Sequence, residues 1–136
     1  MPVQDNTQVV LDLYAAFGRG DVPGILGLLA DDVDWHFVGR PEDIPFAGQR
    51  HGHRQMVEFF TIIGQTVEVL AFGPREVIAC EDKVLVLGHE RVRVRATERL
   101  FETDWAHLYT IQDGKIARLR EFYDTATVAA AFRSNG

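Results

Sequence analysis

The dipeptide Asp113-Gly114 restricts this chain more than any other feature. It separates "ETDWAHLYTI" from "KIARLREFYD", two runs rich in aromatic and β-branched residues. An Asp-Gly pair between two such runs predicts a hairpin closed by a two-residue turn. In straight register Gln112 pairs with Lys115, His107 with Arg120 and Trp105 with Phe122. Side chains alternate across a sheet. One face then carries Trp105, His107, Tyr109 and Ile111 beside Ile116, Arg118, Arg120, Phe122 and Asp124. The other carries Ala106, Leu108 and Thr110 beside Ala117, Leu119, Glu121 and Tyr123. A bulge would break this register. The first face, aromatic with a few polar groups, has the composition of a ligand pocket. The second is half apolar and calls for a cover, most simply the same face of a partner subunit.

The rest of the chain divides into helices first and strands after. Asp5 or Asn6 can cap a helix whose stripe is Val9, Val10, Leu13, Tyr14 and Phe17 and which "GRGD" ends. Asp21 caps a second, short helix with Pro23 in its first turn and Ile25, Leu26, Leu28 and Leu29 as its apolar side. "DVDWHFVG" reads as a strand and "RPEDIPFAGQRHG" as a loop. Met56, Val57, Phe59, Phe60 and Ile63 mark a third helix. "TVEVLAF", "REVIAC" and "KVLVLGHERVRVRA" then precede the hairpin as strands, with a tight turn at Glu81-Asp82. "TATVAAAF" suggests a terminal helix. The class is α+β.

At 136 residues the chain fits a single domain, 1–136, large enough to bury a core. A formal net charge of -6 opposes nucleic acid and anionic membrane as partners. No stretch reaches the ~18 apolar residues of a membrane span. "MPVQDNTQ" lacks the basic start and apolar run of a signal peptide. One cysteine, Cys80, permits no intrachain disulfide and fits a cytoplasmic location. Cys80 is expected to be a small buried residue.

The pattern W-x-H-x-Y, DGKI and RE-F-Y-D, after two short helices ending "LLADDVDWH", resembles the SnoaL-like polyketide cyclase family. That family lies within the nuclear transport factor two and ketosteroid isomerase superfamily. The resemblance spans about Thr7 to Ala131. It implies a cone: a curved antiparallel sheet packed on three helices, around an internal cavity. It also implies a small apolar or cyclic ligand, no cofactor, and Asp124 as general base in an isomerase, cyclase or lyase. An apolar cavity lined by Phe122 and Trp105 would raise the pKa of that acid. His107 or Arg120 would donate a hydrogen bond to the enolate. The base position of ketosteroid isomerase holds no carboxylate here. The Arg-x-Asp of limonene epoxide hydrolase is Arg91-Val92-Arg93, without its acid.

Each candidate has a structural alternative. Asp124 can cap the last helix or pair with an arginine. Arg120 can be its partner, which would lower the pKa and weaken the base. His107 can be a packed histidine. Tyr14, Trp35, Phe60 and Trp105 are cavity wall or core, two roles that merge in a cone. "HGH" at 51–53 lacks the further ligands of a metal site, so no metal is expected. Arg91, Arg93 and Arg95 read as a solvated or ion-paired edge. A non-catalytic binding or dimerisation module of the same fold is the rival function.

Overall fold

The structure, a computed structural model, describes residues 3–133. In chain order these form α1 (Val3–Gly18), α2 (Val22–Leu26), β1 (Leu29–Phe37), β2 (Gly48–His51), α3 (Gly52–Thr66), β3 (Val67–Cys80), β4 (Lys83–Val94), β5 (Leu100–Gln112), β6 (Lys115–Tyr123) and α4 (Thr125–Phe132). The strands make one sheet in the order β2-β1-β6-β5-β4-β3. From β3 to β6 it is an antiparallel meander. β1 joins it parallel to β6 and antiparallel to β2. The result is an α+β cone whose sheet curves without closing on itself.

The turn signals act as the sequence predicts. Asp113 (φ 53) and Gly114 (φ 76) are both left-handed, as a two-residue hairpin turn with matching twist requires. Glu81 (φ 54) takes the same conformation between β3 and β4. Asp21 caps α2, its carboxylate accepting from Gly24 N at 3.0 Å. Other expectations are corrected. α1 begins by Val3, so Asp5 and Asn6 lie inside it rather than before it. Leu29 opens β1 instead of lining α2. The supposed loop contains β2, which pairs through Asp34–His51 to Phe37–Gly48. The two runs after Thr66 are one long strand, β3, with register shifts at 69–71 and 74–76. Cys80 is exposed at its end instead of buried.

The correction that matters most lies in the final hairpin. Ile111 pairs with Ile116, but Thr110 pairs with Arg118. One extra residue, Ala117, therefore bulges from β6, and everything beyond it turns over. His107 faces Glu121, not Arg120, and Trp105 faces Tyr123, not Phe122. Leu119, Glu121 and Tyr123 join Trp105, His107 and Tyr109 on the inner face, while Arg118, Arg120 and Phe122 point outward. The bulge avoids burying two guanidiniums without partners, which would cost several kcal/mol each.

The inner face of the sheet supplies Val84, Val86, Val92, Tyr109, Ile116 and Leu119, all fully or nearly fully buried. α1 and α3 cover it with Val10, Leu13, Met56 and Phe59, and α4 adds Val128. Gly88 falls between Val86 and Glu90 on this face and opposite Trp105. A Cβ at Gly88 would collide with the Trp105 indole. Its absence lets that ring lie flat on β4.

Candidate functional site

The helices and the inner sheet face enclose a cavity rather than a solid core. The space open to the centre of a water molecule is about 70 Å³. That is enough for several waters. Toward α1, α3 and β3 the wall is apolar: Phe17, Phe60, Ile63, Val69 and Phe72. On the sheet side stand Glu90, His107, Tyr109, Glu121 and Tyr123, with Tyr14 reaching in from α1. This is the amphipathic arrangement of a ligand site.

The polar groups form a chain of hydrogen bonds. Tyr109 OH donates to Tyr14 OH at 2.9 Å, and Tyr14 OH lies 2.9 Å from His107 Nδ1. On the other side His107 Nε2 is 3.1 Å from Glu121 Oε1 and 3.0 Å from Tyr123 OH. Trp35 Nε1 donates to Glu121 Oε2 at 2.8 Å. A carboxylate only accepts. The consistent assignment puts the proton of His107 on Nε2, donating to Glu121, and leaves Nδ1 to accept from Tyr14. Ring stacking fixes the imidazole as well. Trp105 lies on it at 4.0 Å between centroids, and Phe72 on Trp105 at 4.9 Å.

Glu90 and Glu121 differ in surroundings although both are buried, 8% and 6% exposed. Glu121 accepts from an indole and an imidazole. Glu90 stands between Phe72 on β3 and Thr103 on β5. Its pKa is pushed up to about 8, first by burial and then by the charge of Glu121; the Tyr123 hydroxyl partly opposes the rise. Near neutral pH one acid thus holds its proton beside the other. Burial also raises Tyr14, Tyr109 and Tyr123 above the ordinary phenol value, so these hydroxyls remain protonated.

The cavity collects His107, Tyr14, Trp35 and Phe60 from the residues singled out in the sequence. Trp105 is buried one layer behind His107. Three expectations for placement are overturned. Asp124 is exposed and caps α4, accepting from Thr127 N at 3.2 Å and Thr127 Oγ1 at 2.8 Å. These bonds hold its pKa below the ordinary carboxylate value instead of raising it. Arg120 points outward and makes no ion pair with Asp124. Phe122 is 41% exposed on the outer face. All three errors follow from the bulge at Ala117 and the helix start at Thr125.

Neither Glu90 nor Glu121 is marked out by the sequence: straight register puts Glu121 on the outer face, and the strand of Glu90 leaves its inward face open to either choice. The signal was present in "RLRE": outward arginines at 118 and 120 leave Leu119 and Glu121 to the inside. The "HGH" histidines serve other ends. His51 bonds Asp34 at 2.7 Å and His53 bonds Leu29 O at 3.1 Å. Among the described residues no group of three or more His, Cys, Asp or Glu could hold a metal ion. No helix among them is long and apolar enough to cross a membrane.

A SnoaL-like domain family profile matches residues 10–119. No functionally curated protein matches in sequence. Among solved structures, an NTF2-like protein from Burkholderia xenovorans LB400 is 36% identical, with 98% of this chain and 99% of that chain covered and a TM-score of 0.89. An NTF2-like protein of unknown function from Burkholderia pseudomallei K96243 is 28% identical over 93% and 96% of the two chains, TM-score 0.87. TerC, co-crystallized with polyporic acid, is 28% identical over 93% and 97%, TM-score 0.84. With four fifths of its length matched by the profile and a relative above 30% identity along almost the whole chain, this protein belongs to the SnoaL-like family within the NTF2-like fold.

Proposed function

We propose that the chain, as one domain, binds a small and largely apolar molecule in the aromatic cavity and moves a proton on it with Glu90. The observation that carries this is the pair of buried carboxyl groups in unlike surroundings. A carboxyl raised well above its ordinary value by burial and a neighbouring charge, in a cavity, is the usual mark of an acid–base site. Glu90, with a pKa near 8, exchanges its proton close to neutral pH, where general acid–base catalysis is most effective. Glu121 orients His107 through the contact between their facing atoms. The reaction class is a proton shift in an enolisable ligand, as in an isomerase or cyclase. In the fraction of molecules whose Glu90 is a carboxylate, which grows as pH rises toward 8, a proton leaves the carbon beside a carbonyl for Glu90 and returns at another atom. The electron pair stays within the ligand, so the step needs no oxidant. Asp124, the base that the family resemblance implies, is replaced in this role by Glu90. The co-crystallisation of TerC with polyporic acid supports the binding of a small molecule by this fold.

A second reading is binding without turnover. Its support is the closure of the network: both nitrogens of His107 and both oxygens of Glu121 are already bonded inside the protein.

In either case we propose a homodimer packed through the outer sheet face, in a reducing, cytoplasmic compartment compatible with a free, exposed Cys80. The apolar part of that face is now Ile78, Leu85, Leu87, Ala106, Leu108 and Phe122, brought together by the register of β3 to β6.

Solvent deuterium exchange into a small enolisable ketone such as 2-tetralone tests the catalytic reading. The wild type should accelerate exchange, Glu90→Gln should lose the acceleration about 100-fold or more, and Asp124→Asn should retain it. Acceleration that survives Glu90→Gln overturns the assignment; no acceleration by the wild type leaves the binding reading.

A further inference from the structure

We infer that the cavity selects a small cation with an apolar body, of the class of a protonated amine, over a carboxylate of the same shape. The inference rests on reading the cavity as the ligand site and adds the charge of the ligand. It starts from the lining. The cavity presents two carboxyl side chains, Glu90 and Glu121, and no lysine or arginine among its wall residues. An anion placed there would meet Glu121 in a medium of low dielectric, where like charges repel far more strongly than in water. A cation in the same place is attracted to Glu121. The wall around it is aromatic, with Tyr14, Phe17, Trp35, Phe60 and Phe72. Aromatic rings favour ammonium groups that reach their faces, through the ring quadrupole.

A cation close to the site, Arg50, is committed elsewhere. Arg50 donates from its guanidinium to Phe46 O at 2.7 Å and lies over the Phe59 ring at 4.9 Å. It is outside the lining, although its charge is felt at Glu121.

Binding of a cation then has a proton consequence. The groups facing Glu90 are Glu121 and Tyr123 from β6; His89, beside it on β4, acts from the opposite side of the strand. In the empty cavity Glu90 keeps its proton because its own burial and the charge of Glu121 disfavour a second anion. An ammonium group between them removes that penalty. The Glu90 proton leaves to solvent, the cation takes its place, and the net charge of the site does not change.

Benzylamine, benzyl alcohol and benzoate form a probe series of one shape and three charges. Their binding to the intact protein would be measured at pH 7 by titration calorimetry in buffers of different ionisation enthalpy. Benzylammonium should bind at least tenfold more tightly than benzoate, with release of up to about 0.9 proton per molecule for a group of pKa near 8. In Glu90→Gln the proton release should vanish. Benzoate binding as tightly as benzylamine would overturn the inference, and so would absence of benzylamine binding below ~10 mM. The infrared band of a protonated carboxyl in the ligand-free protein, removed by Glu90→Gln, separates the failures. With the band present and benzoate preferred, only the ligand class falls. Without the band at pH 7, the role of Glu90 falls too.

Discussion

His107 and Glu121 are cross-strand neighbours on β5 and β6, and their facing atoms lie 3.1 Å apart with both side chains almost wholly buried. The pair organises the cavity. It orients the imidazole for Tyr14 and holds a negative charge that Glu90 feels.

That charge has a pH signature. Glu90 is raised from 4.5 to about 8, so between those values the native state holds a proton that the unfolded chain has released. Stability must fall as pH rises through this window. Glu90→Gln should remove the fall, which is on the order of a few kcal/mol at most. His51 and His89 are also raised, so they too lose stabilisation as pH rises above about 6.5. The difference between wild type and Glu90→Gln isolates the acid. Urea unfolding at pH 5 and pH 8 checks it; equal slopes with pH in the two proteins would show that Glu90 is not the titrating group.

Asp124 behaves as a cap. Asp124→Ala should cost roughly 1 kcal/mol of stability, and Asp124→Asn much less, because Asn also caps. Neither should alter ligand binding. Denaturant midpoints and probe titrations decide this, and a lost ligand affinity in Asp124→Asn would return the residue to the site.

The outer face separates assembly from folding. Leu108→Asp, on the outer face, should yield a folded monomer by light scattering. Leu119 is 1% exposed on the inner face, and Leu119→Asp should destabilise the fold by more than about 3 kcal/mol. A dimer that persists in Leu108→Asp at tens of micromolar would place the interface elsewhere.

Gly88 is a positioning residue for the ring stack. Gly88→Ala drives a methyl group into the Trp105 indole, which supports His107. We expect a loss of about 1–3 kcal/mol and a shifted tryptophan emission. Unchanged emission and stability would mean the sheet moves instead of the ring.

The fold was legible because its local signals agree. Asp113-Gly114, the Asp21 cap and the helical stripes each specify one conformation, and the family pattern joins them. The cavity was half legible. Residues of β5 were placed correctly because alternation runs unbroken from Phe101 to Tyr109. Those of β6 were not, because Ala117 is small and carries no local bulge signal. Its displacement is decided by burial: Ile116, Leu119 and Glu121 belong inside and the arginines outside. Glu90 could not be found from its own strand, since valine and leucine occupy both faces of β4.

The single extra residue at 117 also fixes the sign of the binding chamber. Were Ala117 drawn into the ladder opposite Thr110, β6 would present Arg118 and Arg120 to the ligand and send Glu121 to solvent. The same strand can thus offer an acidic or a basic chamber, and the displaced Ala117 selects the acidic one. Deleting Ala117 would leave that choice intact, because Arg118 would then follow Ile116 opposite Thr110 and Glu121 would stay beside His107.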